Sequence, residues 1–145
     1  MNYRFADRMR KTPRSFIRET LKVTERPDII SFAGGLPNPS VFPVRELAKT
    51  AEQVINEEGS AALQYATTEG FLPLRTWIAE RYAQRYGMSV TPDEILITHG
   101  SQQCLDLCGK VFINRGTQIG IERPGYLGAI QAFSLYEPTF VPISL

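Results

Sequence analysis

The sequence is poor in the features that assign a protein quickly. Its 145 residues hold two cysteines and one histidine, and neither sign of charge prevails: 16 Lys+Arg stand against 15 Asp+Glu, a formal net charge of +1. Without a cationic excess to neutralise phosphates, a nucleic-acid binder driven by bulk charge is excluded. Cys104 and Cys108 are too few for a disulfide framework, and no neighbouring Cys or His completes a zinc set, so no metal is expected. Four apart in a helical pattern, they read as small core residues of a reducing compartment. No stretch approaches the roughly 18 apolar residues that span a bilayer. The basic start, Met1 to Lys11, has no apolar segment of the secretory type behind it. These absences predict a cytoplasmic protein that binds neither membrane nor nucleic acid. Repeats and low-complexity segments are lacking too. What is present is ordinary: 43% hydrophobic and 21% charged residues, a globular composition too apolar for disorder. Length alone suggests one domain able to fold unaided.

The first part reads as an arm. Phe16, Ile17 and Leu21, behind Pro13, predict a short helix over 15–22. Ile29 to Ala33 is a β-type run that breaks into the Gly34–Pro39 loop, which no regular element can continue. Leu47, Ala48, Ala51, Val54 and Ile55 form one stripe between Pro43 and Gly59, predicting a helix over 43–58. A polar loop over 63–70 leads to a second helix over 72–86, with Leu74, Trp77, Ile78, Arg81 and Tyr82 as its packing face and Gly87 as its stop. Then come a buried-type strand over 94–98 and a helix over 103–113, with Leu105, Cys108, Val111 and Phe112 on one side. A strand over 118–122, a helix over 126–135 and a strand over 139–143 complete the pattern. Strand, helix, strand, helix, strand predicts an α/β fold with parallel pairing and right-handed connections. Pro142 puts the last strand at an edge.

Thr98-His99-Gly100-Ser101-Gln102 carries the clearest chemistry. A glycine ends a strand and a serine stands where a helix begins. The free N–H groups of a first turn, with the helix dipole, attract an anion, and Ser101 adds a hydroxyl donor. The alternative is that Ser101 merely caps the helix. The loop has neither the P-loop nor the dinucleotide pattern, which disfavours a nucleotide. Tyr126 follows Pro124-Gly125 at the carboxyl end of a strand, where ligands sit in open α/β sheets. It either stacks on a planar ligand or fills the core. Tyr65 either donates to an anion or is a surface tyrosine. Gly34 and Gly35 either bring backbone N–H groups up to a carboxylate or simply permit positive φ. Arg18 either grips a carboxylate with both ends of its fork or is solvated. His99 has no acid or nucleophile arranged around it and reads as structural. Nothing singles out Lys110 as a Schiff-base lysine.

Five blocks in order carry a resemblance: SFIRETLK (15–22), RPDIISFAGGLPNPSVFP (26–43), LQYATTEGFLPLR (63–75), ILITHGSQQCLDLCGKVF (95–112) and ERPGYLGAIQAF (122–133). Together they resemble the fold-type I, pyridoxal-phosphate-dependent aminotransferases of class I/II, nearest the 2-aminoadipate and kynurenine aminotransferase branch. The resemblance implies the N-terminal part of that fold: an arm and small-domain segment over 1–43, then the start of a large cofactor-binding domain over 44–145, its sheet incomplete and flanked by helices. It implies pyridoxal 5'-phosphate as cofactor, with Gly100, Ser101 and Gln102 at its phosphate and Tyr126 stacked on its ring. Tyr65 would reach the partner's cofactor phosphate across a homodimer interface. Gly35 would lie near the substrate carboxylate, and Arg18 near the substrate's distal end.

The sequence also departs from the family pattern. Asn114-Arg115-Gly116-Thr117 stands where Pro-Gly-Asp is usual before the second strand, and Gly125 where Thr or Ser usually precedes the stacking tyrosine. The family's Schiff-base lysine, its pyridine-binding Asn and Asp and its carboxylate-binding Arg match no residue here, so no catalytic residue is assigned. The implied parent reaction passes an amino group from an acidic, aromatic or long-chain amino acid to a 2-oxo acid. Without the lysine this chain is expected to be inactive alone. The rivals are a non-catalytic fragment, an aminotransferase-like ligand-binding or regulatory module, and a compact phosphate-binding domain. A regulator would usually carry a DNA-binding domain ahead of the arm, and no winged-helix-like segment precedes Ser15.

Overall fold

The computed structural model describes residues 3–11, 28, 30, 32 and 35–144. Arg18, Gly34 and the helix expected over 15–22 lie outside the described residues. Two compact units are present, one of Met1–Pro13 with Thr67–Leu145 and one of Arg14–Ala66. The boundary expected at 43–44 therefore falls inside the second unit.

In the Arg14–Ala66 unit, Asn38 opens a short 3₁₀ turn, Pro39–Val41, by accepting from the Ser40 backbone N–H at 3.0 Å and from its hydroxyl at 2.9 Å. Helix α1 follows over Val44–Glu58, with Pro43 at its cap position and Gly59 closing it by donating to the Ile55 carbonyl. Its apolar stripe exists as expected, yet Leu47, Val54 and Ile55 are all exposed.

The larger unit contains α2 (Leu72–Tyr86), α3 (Ser101–Phe112), β1 (Gln118–Glu122), α4 (Leu127–Ser134) and β2 (Thr139–Ile143). Pro73 starts α2 well because its missing N–H falls among the first-turn donors. Gly87 stops it in the left-handed region at φ 64°. The packing face is not the expected one. Arg75 and Ala79, four apart, are buried, and Trp77, two residues from Arg75 and so on the opposite side, is 55% exposed. Arg81 covers its ring at 5.5 Å. Helix α3 likewise turns Leu105, Cys108 and Gly109 inward and leaves Val111 and Phe112 exposed. Cys104 is exposed and Cys108 half-buried, so the pair does not form the expected core.

Strands β1 and β2 are parallel, in register from Gln118 opposite Thr139 to Glu122 opposite Ile143. Ile119 and Ile121 turn to the half-buried side and their neighbours to the exposed side, the period of two that a strand imposes. Gly120 leaves room for the Ile143 side chain, which a Cβ would meet at 2.5 Å. Before the strands, Gly116 donates to the Glu137 carbonyl at 2.9 Å and Thr139 to that of Thr117 at 2.8 Å.

The strand expected over 94–98 does not form. Pro92–Glu94 is a 3₁₀ turn in which the Glu94 carboxylate accepts from the Thr91 N–H at 2.8 Å and the Thr91 hydroxyl at 2.9 Å. Those bonds hold the Glu94 carboxyl below its ordinary range, the backbone one most. Ile95 is extended, but the segment's one cross-link to the 67–70 loop is Ile97 N–H to the Glu69 carbonyl at 2.9 Å. A strand requires a neighbour offering donors and acceptors along its length, and a turn offers one. The described sheet thus has two strands rather than three.

Candidate functional site

The segment entering α3 is steered by Arg75. Its Nε donates to the Gly70 carbonyl at 3.2 Å and its Nη1 to the Pro92 carbonyl at 2.7 Å, with Asp93 3.6 Å away. One guanidinium thereby ties the 67–70 loop, α2 and the 92–97 segment together. Gly70, at φ 97°, has no room for a Cβ beside Ile97.

At the end of that segment Gly100 takes φ 80° and ψ 170°, a conformation essentially reserved for glycine. Gly100, not Ser101, occupies the cap position, which puts the helix start two residues before the expected 103. Thr98 is bonded to both sides of the turn: its carbonyl accepts from Gly100 N–H at 2.9 Å and its hydroxyl donates to the Gly100 carbonyl at 3.2 Å. The Gln103 side chain accepts from His99 N–H at 2.6 Å. Ser101 is the first helical residue and caps nothing, so its hydroxyl stands beside first-turn amides that helix geometry leaves unbonded. Donors and dipole there favour an anion.

Gln102 links this helix end to the turn after β1. Its Nε2 donates to the Gly128 carbonyl at 3.4 Å. The Tyr126 ring lies against the same Gly128, where a Cβ would come within 2.6 Å of ring carbon Cζ. Tyr126 caps α4 through its carbonyl, which accepts from Ala129 at 3.1 Å and Ile130 at 3.2 Å. Its side chain is 62% exposed, so it does not fill the core. The turn is also built for Gly125, since a Cβ there would sit 2.6 Å from the Glu122 carbonyl oxygen.

Through Gly128, the Gln102 side chain connects the 100–102 segment to Tyr126. Tyr65, 97% exposed, and Gly35, at φ 60°, belong to the other compact unit. A cleft of about 300 Å³ between Ile78, Tyr82 and the 94–96 segment shares no residue with this cluster. Among the described residues no group of three His, Cys, Asp or Glu could hold a metal, and no helix is long and apolar enough to cross a membrane.

Further along α3, Asp106 accepts from Lys110 at 2.5 Å through Oδ2 and from the Tyr136 hydroxyl at 2.9 Å through Oδ1. Lys110 first and Tyr136 second hold the Asp106 carboxyl below its ordinary range, and Asp106 raises the Lys110 ammonium. Desolvation, then the bond to Asp106, pushes the Tyr136 phenol up. Burial, then its contact with Cys104, does the same to the Cys108 thiol.

Arg75 and the Asp106–Tyr136 pair escape sequence reasoning because their partners are backbone carbonyls or lie 30 residues away. One usable signal was Arg75 four residues before Ala79, a cation on a small-residue face.

Residues 28–145 match the family described as aminotransferase class I and II. A 2-aminoadipate transaminase of Thermus thermophilus is 52% identical over 129 residues, covering 89% of this chain and 31% of that protein. Among solved structures, a kynurenine aminotransferase of Pyrococcus horikoshii in complex with PMP, KYN and KYA superposes with a TM-score of 0.87 at 44% identity, over 97% of this chain and 35% of that one. The alpha-aminoadipate aminotransferase LysN of Thermus thermophilus, complexed with N-(5'-phosphopyridoxyl)-L-leucine, gives 0.82 at 46% identity, over 97% and 33%. This chain thus spans about a third of the length of the relatives it matches.

Proposed function

The chain belongs to the class I and II aminotransferases, and from that premise we propose that it supplies the phosphate- and ring-binding half of a pyridoxal 5'-phosphate site. The parent reaction passes an amino group from an acidic, aromatic or long-chain amino acid to a 2-oxo acid. One observation carries the reading: Gln102 and Gly128 join the donor-rich start of α3 to the exposed ring of Tyr126 on one edge of the unit.

The residues fit the cofactor's two chemically distinct ends. Gly100 turns the backbone so that the α3 amides face outward, and Ser101 Oγ adds a donor for a dianionic phosphate. Tyr126 offers a ring face to a planar heterocycle. The bound pyridoxal group supplies the electron sink of amino transfer. Gly100, Ser101 and Tyr126 hold and orient it. Lys110, the single lysine between Thr67 and Ser144, is bonded to Asp106 and stands roughly 13 Å along α3 from Ser101, so it takes no part. In this reading the proton at the substrate is moved by a lysine outside residues 67–144.

The substrate range follows the names of the relatives: aminoadipate, kynurenine and a leucine adduct. In the same reading the enzyme is a cytoplasmic homodimer. Tyr65 reaches the partner's cofactor phosphate, Gly35 lies near the substrate carboxylate and Arg18 near its distal end. The nearly complete exposure of Tyr65 suits such a reach. Titration of the full-length protein with pyridoxal 5'-phosphate tests the site. Ser101→Ala should weaken binding about tenfold to a hundredfold, the worth of one charge-assisted bond, and Tyr126→Ala about twofold to tenfold, the worth of one stacked ring. Unchanged affinity in both sinks the reading.

A further inference from the structure

The side chain of Gln102 sits in the segment that offers donors to an anion, yet its amide is turned sideways onto the Gly128 carbonyl at 3.4 Å. Gly128 in turn is the surface on which the Tyr126 phenol lies: a Cβ there would stand 2.6 Å from Cζ, 2.7 Å from Cε1 and 2.7 Å from the hydroxyl oxygen. The Tyr126 backbone is fixed independently, through the Ala129 and Ile130 amides on its carbonyl. What is left to set is the tilt of the ring, and Gly128 is what it rests on.

We propose that Gln102 and Gly128 form a brace that sets the Tyr126 ring against the start of α3, so that Gln102 is a positioning residue acting through Tyr126. It is not a side-chain ligand of the phosphate. The inference rests on the reading that Tyr126 stacks on the cofactor. It adds to the expectation that Gln102 belongs to the phosphate loop, and leaves the anion to Ser101 and the backbone. A planar ligand whose phosphate is held at one helix end needs its ring plane fixed relative to that end. A link between the two elements, Gln102 on α3 and Gly128 in α4, does this without touching the ligand.

The brace predicts a particular mutational pattern in the full-length protein, read as the affinity for pyridoxal 5'-phosphate and the visible circular dichroism of the bound cofactor. Gly128→Ala favours the α4 helix, and the atoms its Cβ meets belong to the far end of one side chain, so the ring swings aside while the fold persists. Gln102→Met, at an exposed first-turn position, keeps the length and removes the donor. Each should weaken cofactor binding about threefold to tenfold, the range of one hydrogen bond, and shrink the visible dichroism. In a Tyr126→Ala background both effects should vanish, and competition by inorganic phosphate should be the same for Gln102→Met as for the parent.

Three results overturn the brace while leaving the site reading intact: a Gln102→Met effect that persists in full beside Tyr126→Ala, a loss of phosphate competition in Gln102→Met, or unchanged dichroism in both single variants. If Tyr126→Ala alone leaves affinity and dichroism unchanged, the stacking reading falls and the brace falls with it.

Discussion

Tyr136 closes on Asp106, its hydroxyl donating to Oδ1 at 2.9 Å across 30 residues of sequence. The approach is possible because Gly109, one turn along α3, leaves no Cβ where the Tyr136 ring packs. With Gln102 bonded to Gly128 near the other end, α3 is joined twice to the α4–β2 segment. The joints hold the helix whose start faces the proposed phosphate, so the position of a binding surface depends on bonds remote from it.

The first prediction concerns pH. Asp106 has a folded pKa below its unfolded value, so its contribution is complete above the ordinary carboxylate range of about 3.9 and is lost as pH falls through the depressed folded value. Lys110 and Tyr136 have raised values, so theirs are complete below about pH 10 and are lost as pH rises through the folded values. Urea midpoints of the full-length protein should fall at both extremes. Asp106→Asn should flatten both limbs relative to the parent. Parallel profiles for the two proteins would show that the cluster contributes nothing.

A second prediction separates helix propensity from packing at Gly109. Alanine in a helix interior ordinarily stabilises by about 1 kcal/mol relative to glycine. Here the Cβ would overlap the Tyr136 ring and push the phenol off Asp106. Gly109→Ala should therefore fail to stabilise, and phenolate absorbance should show Tyr136 titrating nearer its ordinary value. A stabilised variant with an unmoved Tyr136 would contradict the packing account.

What the sequence discloses depends on whether a residue's partner is local. Helix α2 matches its expected bounds because Pro73 and Gly87 punctuate it through their own backbone preferences. The β1–α4–β2 order and Pro142 in the last strand follow from period and spacing. Trp77 misleads because its apolar surface argues for burial, whereas direction around the helix is set by what the other side meets, and the other side holds Arg75. The 94–98 run has strand composition without a strand beside it. Ser101 and Tyr126 are legible as chemistry, a donor at a helix start and a ring at a strand end. Their connection through Gln102 and Gly128 is a tertiary contact and leaves no periodic trace.

Gly100 provides the third prediction. Nothing lies within 4 Å of where its Cβ would be, so Gly100→Ala meets no steric neighbour, only the backbone cost of φ 80° with ψ 170°. That cost is about 1–3 kcal/mol. The chain can avoid it by relaxing the turn, which moves the α3 amides off the anion. Pyridoxal 5'-phosphate affinity should drop about tenfold while pyridoxal, lacking the phosphate, binds as before. Equal losses for both ligands would mean that the turn shapes the whole site and not its phosphate end.

The last prediction concerns Arg75, 6% exposed and donating to two carbonyls. Each acceptor has one further donor, the Thr67 hydroxyl on Gly70 and the Ile95 backbone N–H on Pro92, both at 3.2 Å. Arg75→Met should cost about 1–3 kcal/mol in denaturant unfolding. Arg75→Lys should recover part of this, since an ammonium can serve one carbonyl and lacks the planar fork that spans both. Thr67→Ala alone should cost little, because Arg75 still serves Gly70. Combined with Arg75→Met it should cost more than the sum, because the Gly70 carbonyl then loses both its side-chain donors. Additive losses would mean that Gly70 is satisfied by water, and that the guanidinium steers the segment into α3 through Pro92 alone.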